Sequence, residues 1–185
     1  MIGGSPLDYG ASLRQPRAVL HLFLSLGGAV GAVLGAVSGD EGGALYGHAD
    51  ESCFTDPMRA REFVDRTGID TLAVAIGNAH GKYRGEPKLD FARLAAIRQQ
   101  TGLPLVLHGG SGISEADFRR AISLGIHKIN FYTGMSQAAL GAIEQRMANR
   151  QPLYDEFAQL LLGIEEAIAD TVAAQMRIFG SAGQL

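Results

Sequence analysis

Residues 104–113 read PLVLHGGSGI. An apolar run ends in His108, and three glycines and a serine follow within four residues. A continuous apolar run bounded by glycine suits a strand buried on both faces, as in a parallel sheet. A titratable ring where such a strand stops has two readings. One is a satisfied histidine beside a tight turn. The other is a metal ligand beside a phosphate cradle, because GGSG offers bare backbone N–H groups and a hydroxyl just ahead of a helix start.

The same design recurs on either side. Short apolar runs fall at 1–4, 29–37, 70–81, 103–112 and 125–133. Helical patterns with boundary signals separate them. TDPMRAREFVDRTG places Asp56 at an N-cap, Pro57 at the first helical position and Gly68 past the end. DFARLAAIRQQTG repeats this with Asp90 and Gly102, and SEADFRRAISLG opens on Ser114 as cap with Asp117 three residues on. Ala60, Phe63 and Val64 share one helical face, as do Phe91, Leu94, Ala95 and Ile97. The tail, from about Ser136 to Phe179, reads as two helices broken near Asn149 to Pro152.

Strand and helix in alternation with short loops predict repeated βαβ units. A doubly wound sheet and a (β/α)₈ barrel, the TIM barrel, both fit. Three successive strands ending in polar, glycine-rich loops favour the barrel, because a doubly wound sheet concentrates its ligand at one switch point. A closed eight-stranded barrel typically needs about 250 residues, and this chain has 185. The expectation is therefore one α/β domain over residues 1–185, a partial barrel of about five βα units with a C-terminal helical tail.

Composition excludes several classes. Hydrophobic content is 46% and charged content 19%, which argues for a packed core rather than disorder. The net charge of −3 offers no basic excess for nucleic acid. The single Cys53 cannot form an internal disulfide, which favours a reducing, cytoplasmic setting. Residues 18–37 carry no Asp, Glu, Lys or Arg and are long enough to cross a bilayer. Gly27 and Gly28 split that run into a helix end followed by a strand, so no membrane partner is expected.

Two residue groups carry chemistry. His80 and His108 each end a predicted parallel strand, and one βαβ unit separates them. In a barrel both would face one mouth, where neutral imidazoles suit zinc. Catalytic zinc generally takes three protein ligands, and the remaining histidines are poor candidates. His21 lies in a helical pattern, His127 at the wrong strand end and His48 in a long loop. The second group is Gly109 to Gly112 with Asn130 to Thr133. Loops after the final two strands of a barrel frequently bind phosphate, and these are the final two here.

Together AIGNAHGKY, LVLHGGSGI, GIHKINFYT and the terminal FGSAG resemble the class II, zinc-dependent fructose- or tagatose-bisphosphate aldolases. TDPMRAREFVDRTGIDTLAVAIGNAHG is similar to that family almost throughout, and MIGGSPLDYGASL resembles its MIDGS segment. The resemblance covers the whole chain. It implies a TIM-barrel lyase that cleaves a ketose bisphosphate to dihydroxyacetone phosphate and glyceraldehyde 3-phosphate, with Zn²⁺ as cofactor. His80 and His108 would be two of three zinc ligands. Gly81, Gly109, Gly110 and Ser111 would hold the ketose phosphate, with Asn130, Phe131, Tyr132 and Thr133 completing the grip. A monovalent cation often assists near these loops in the family. Asp40 and Glu41 match the acidic pair of the family's mobile loop, where a glutamate takes part in proton transfer.

Departures accompany the match. The family's first three strands have no counterpart, including an adjacent aspartate and histidine that serve as proton donor and third zinc ligand. Gly3 stands where MIDGS has aspartate. Gly31 and Val33 stand where the family reads acidic residues, and Pro16 interrupts the first helical pattern, costly outside a first turn. The expectation is a chain with impaired turnover; the alternative is a non-catalytic, sugar-phosphate-binding or structural remnant. An open barrel exposes strand edges and apolar surface, which predicts a homo-oligomer.

Overall fold

The computed structural model describes residues 29–37, 51–81, 83, 85–150 and 157–184. The expected first strand at 1–4, the helix after it, and Asp40, Glu41, His21 and His48 lie outside these residues. Four parallel strands form one sheet in the order β1 (Gly31–Leu34), β2 (Thr71–Val74), β3 (Leu105–Leu107) and β4 (Ile126–Ile129). Helices α1 (Pro57–Thr67), α2 (Phe91–Thr101) and α3 (Glu115–Ser123) fill the crossovers. A short 3₁₀ turn, Glu51–Cys53, precedes α1. Sequential strands in spatial sequence, each returned by a helix, make this a section of a (β/α) barrel.

Local chemistry sets the helix limits. Asp56, Asp90 and Ser114 each accept a hydrogen bond from the backbone N–H three residues on, at 2.9, 2.8 and 3.1 Å. That satisfies one of the orphan donors at each start. Gly68 and Gly102 close α1 and α2 in the left-handed conformation, at φ 70° and 67°.

Strand alternation sorts the side chains onto two faces. Ala32 and Leu34, Leu72 and Val74, Leu105 and Leu107 join Phe63, Leu94, Ile97 and Phe118 in one buried cluster between sheet and helices. By the period of two, Val33, Ala73, Val106 and Lys128 share the opposite, barrel-interior face, and the register pairs them across the sheet. Gly31 and Val33 therefore both lie on the interior face. Buried Thr55 ties β1 to β2: its hydroxyl donates to the Leu34 carbonyl at 2.6 Å and accepts from the Ala75 N–H at 2.8 Å.

The tail contains one more element than its sequence predicts. Helix α4 (Thr133–Ala148) begins immediately after β4, three residues before the expected start. A four-residue α5 (Phe157–Leu160) precedes α6 (Ile164–Phe179). Phe179 packs edge-on against Phe118, with ring centres 4.9 Å apart, and so pins the end of α6 to α3. Among the described residues no helix is long and apolar enough to cross a membrane, and residues 31–34 of the charge-free run form β1.

Candidate functional site

His80 and His108 follow β2 and β3 at the same end of the sheet and meet there. Their rings lie edge to face, with centres 5.4 Å apart. Buried Asn78 fixes the two strand ends together. Its Oδ1 accepts from the Ile76 N–H at 2.8 Å, and its Nδ2 donates to the His108 carbonyl at 3.1 Å. From β4, Asn130 Nδ2 approaches both ring nitrogens of His108, at 3.1 and 3.3 Å. Lys128 donates to the other end of the same amide, Asn130 Oδ1. Asn130 thus links an exposed lysine on the barrel-interior face of β4 to one of the paired imidazoles.

The close approach of β2 and β3 explains the first glycine of GGSG. Gly109 has φ 64°, and a Cβ there would stand 1.9 Å from the Ala79 carbonyl oxygen. Both the backbone conformation and the space demand glycine. Tyr83 reinforces the junction: its hydroxyl accepts from the Ala79 N–H at 2.8 Å and donates to the Gly109 carbonyl at 3.0 Å. Burial pushes the phenol pKa above its ordinary value, partly offset by the Ala79 hydrogen bond.

Next to the histidines lies a cleft of about 380 Å³. Gly81, Gly110, Ser111, Phe131, Thr133 and Gly134 are among the groups that line it. None of the described residues lining it carries a charge. Ser111 Oγ accepts from the Gly134 N–H at 2.9 Å, joining the GGSG loop to the first turn of α4. The Tyr132 side chain makes no cap bond there. The N-terminus of a sixteen-residue helix therefore lies beside the loop, and its dipole favours an anion.

The structure brings together His80, His108 and Asn130 on one side, and Gly81, Gly110, Ser111, Phe131 and Thr133 on the other. Gly109 forms the junction between them, and Tyr132 is half exposed outside the cleft. His127 is exposed with its Nδ1 against the Gly125 carbonyl, away from the paired rings. Sequence reasoning assigned no role to Asn78, Tyr83, Gln137 or Gln175. Tyr83 closes the AIGNAHGKY motif and could have been found there. Gln137 and Gln175 lie on the tail helices, where no local pattern marks them.

Two imidazoles on one tetrahedral zinc, with Zn–N bonds near about 2 Å, place their ring centres about 5 Å apart. The observed 5.4 Å fits a pair of zinc ligands. Among the described residues no group of three His, Cys, Asp or Glu side chains converges on a metal position. The fit is thus to part of a donor set.

A parallel barrel section, with paired histidines and glycine-rich loops at the ends of its strands, defines a (β/α)-barrel protein with a polar mouth. The family described as class-II fructose-bisphosphate aldolase matches residues 1–184, and the chain belongs to that family. It is 41% identical over 186 residues to the uncharacterized protein YdjI of Escherichia coli, and 40% identical over 184 residues to a probable fructose-bisphosphate aldolase of Bacillus subtilis. Each alignment covers all of this chain and 63% of the relative, so the chain spans less than two thirds of their length. The crystal structure of the YdjI aldolase superposes with a TM-score of 0.81 at 38% identity, covering 98% of this chain and 61% of that one. A putative fructose-1,6-bisphosphate aldolase from Coccidioides immitis superposes with a TM-score of 0.83 at 27% identity, covering 100% of this chain and 63% of that one.

Proposed function

We propose that this chain carries the sugar-phosphate mouth of a class II ketose-bisphosphate aldolase. The reaction is the reversible aldol cleavage of fructose or tagatose 1,6-bisphosphate to dihydroxyacetone phosphate and glyceraldehyde 3-phosphate. The observation that carries this reading is the juxtaposition of two imidazoles, with ring centres 5.4 Å apart, and an uncharged cleft lined by glycines and by Ser111 and Thr133.

His80 and His108 would hold zinc, which when bound supplies a Lewis acid toward a substrate carbonyl. The remaining chemistry belongs to the chain. Ser111 would offer its backbone N–H and hydroxyl to the ketose phosphate beside Gly110, whose own N–H donates to the Asn130 carbonyl at 3.3 Å, and Thr133 adds its hydroxyl and the start of α4. Gly81 lets the ligand approach the backbone closely. Asn130 orients His108, and Phe131 walls the cleft. Asp40 and Glu41 would serve proton transfer at the reacting carbon, worth typically about 10²- to 10⁴-fold in rate. A monovalent cation near the phosphate loops, a homo-oligomeric assembly, a single domain and a cytoplasmic setting complete the proposal.

One observation favours a second reading. With two converging metal donors among the described residues, this chain alone would turn over weakly, and a non-catalytic sugar-phosphate binder fits the same cleft. Adding zinc and fructose or tagatose bisphosphate separates the two. Cleavage abolished by a chelator supports the aldolase. Thermal stabilisation by the bisphosphate without cleavage supports the binder, and neither effect would contradict both.

A further inference from the structure

His80 and His108 stand beyond two separate strand ends, so their spacing depends on what ties β2 to β3 at that point. The paired register of the two strands ends at Val74 and Leu107. Past it, two side chains take over, and both come from the segment that carries His80. Asn78, two residues before His80, donates from Nδ2 to the His108 carbonyl at 3.1 Å. Tyr83, three residues after His80, donates from its hydroxyl to the next carbonyl along, that of Gly109, at 3.0 Å. The same hydroxyl accepts from the Ala79 N–H at 2.8 Å, immediately before His80. Consecutive carbonyls at one histidine are thus gripped from both flanks of the other.

Both gripping side chains are themselves held. Asn78 is buried, and its Oδ1 is fixed by the Ile76 N–H at 2.8 Å. The Tyr83 ring packs against the core and lies so close to Gly112 that a Cβ there would stand 3.2 Å from it. Such rigidity has a use at a metal pair. Two imidazoles share one tetrahedral ion only near a ring-centre spacing of about 5 Å, and these stand at 5.4 Å. Ligands held at that spacing beforehand pay less ordering cost when the ion arrives.

We propose that the Tyr83 hydroxyl, with Asn78 beside it, is a positioning device for the metal pair. It holds the backbones of His80 and His108 at the spacing zinc requires, without touching the ion. The inference rests on the zinc reading of the two histidines. It goes beyond that reading by giving the end of the AIGNAHGKY motif a part in metal affinity, in addition to its part in stability.

The test is zinc affinity of the full chain, measured by competition with a chromophoric chelator, for the unaltered protein and for Tyr83→Phe, Ser114→Ala and His108→Ala. Far-ultraviolet dichroism checks that each variant is folded. Phenylalanine keeps the ring against Gly112 and removes the hydroxyl alone. Ser114→Ala removes the α3 cap away from the junction, and so measures what destabilisation by itself does to metal binding. Tyr83→Phe should bind zinc about tenfold more weakly than the parent, while Ser114→Ala stays within about twofold of it. With Co²⁺ as the probe, the visible absorption of the saturated Tyr83→Phe complex should differ from that of the parent, because the ligand geometry has changed. A zinc affinity for Tyr83→Phe within about twofold of the parent, an equal loss in Ser114→Ala, or an unaltered Co²⁺ spectrum would overturn the proposal. A parent that binds zinc no better than His108→Ala would overturn the zinc reading itself, which separates the two failures.

Discussion

On one side of the mouth, Gly110, Ser111, Thr133 and Gly134 meet through backbone and hydroxyl groups, and the Ser111–Gly134 hydrogen bond closes the loop onto α4. On the other, His80 and His108 pair at ring-centre distance 5.4 Å with no third donor converging among the described residues. The two sides share a floor, the β2–β3 junction, but differ in what they need. The anion side is built from main chain whose position follows from the fold. The histidine side is built from side chains, whose chemistry depends on groups from several places. On the proposed reading, the described residues bring the loops of the phosphate side together but supply only part of a metal donor set.

The largest expected effect tests the shared floor. Gly109→Ala would put a Cβ into the Ala79 carbonyl and force a left-handed alanine. It should destabilise the chain by about 3 kcal/mol or more in chemical denaturation. A variant as stable as the parent would show that the junction is looser than described. Tyr83→Phe removes both hydrogen bonds that span the same junction, at an expected cost of about 1–3 kcal/mol. The same residue gives a pH dependence. Its pKa is raised above the ordinary 10.0, so its contribution to stability is fully present below that pH and is lost as pH rises through the folded-state value. Denaturation curves for parent and Tyr83→Phe should therefore converge at strongly alkaline pH.

Two smaller effects separate the sides. His108→Ala should lower zinc affinity by more than about tenfold, while phosphate affinity stays within about twofold. A matching loss of phosphate would show that the sides do not work independently. Ser114→Ala removes the cap at the start of α3 and should cost about 1 kcal/mol of stability. It should leave phosphate binding unchanged, because the cleft side depends on Ser111 and α4.

Much of this architecture was legible in the chain because short-range rules governed it. Asp56, Asp90 and Ser114 announced their helices, Gly68 and Gly102 ended two of them, and the apolar runs marked β1 to β4. The strand-end histidines were legible for the same reason, since the βαβ rhythm puts His80 and His108 at equivalent places. The tail was harder to read. Helix α4 has no buried residue and leaves Leu140 and Met147 half exposed, so its apolar residues trace no clear stripe, and its start blends into NFYT. The docking of α6 was not legible because it comes from Phe179 packing on Phe118, a contact between residues far apart in sequence.

The central claim is that the anion side of the mouth is complete on this chain. An amide-resolved NMR titration with inorganic phosphate tests it directly. Progressive, saturable shifts centred on Gly110, Ser111, Thr133 and Gly134, with His80 and His108 little affected, are the expected result. Shifts confined to other surfaces, or none at millimolar phosphate, would contradict it.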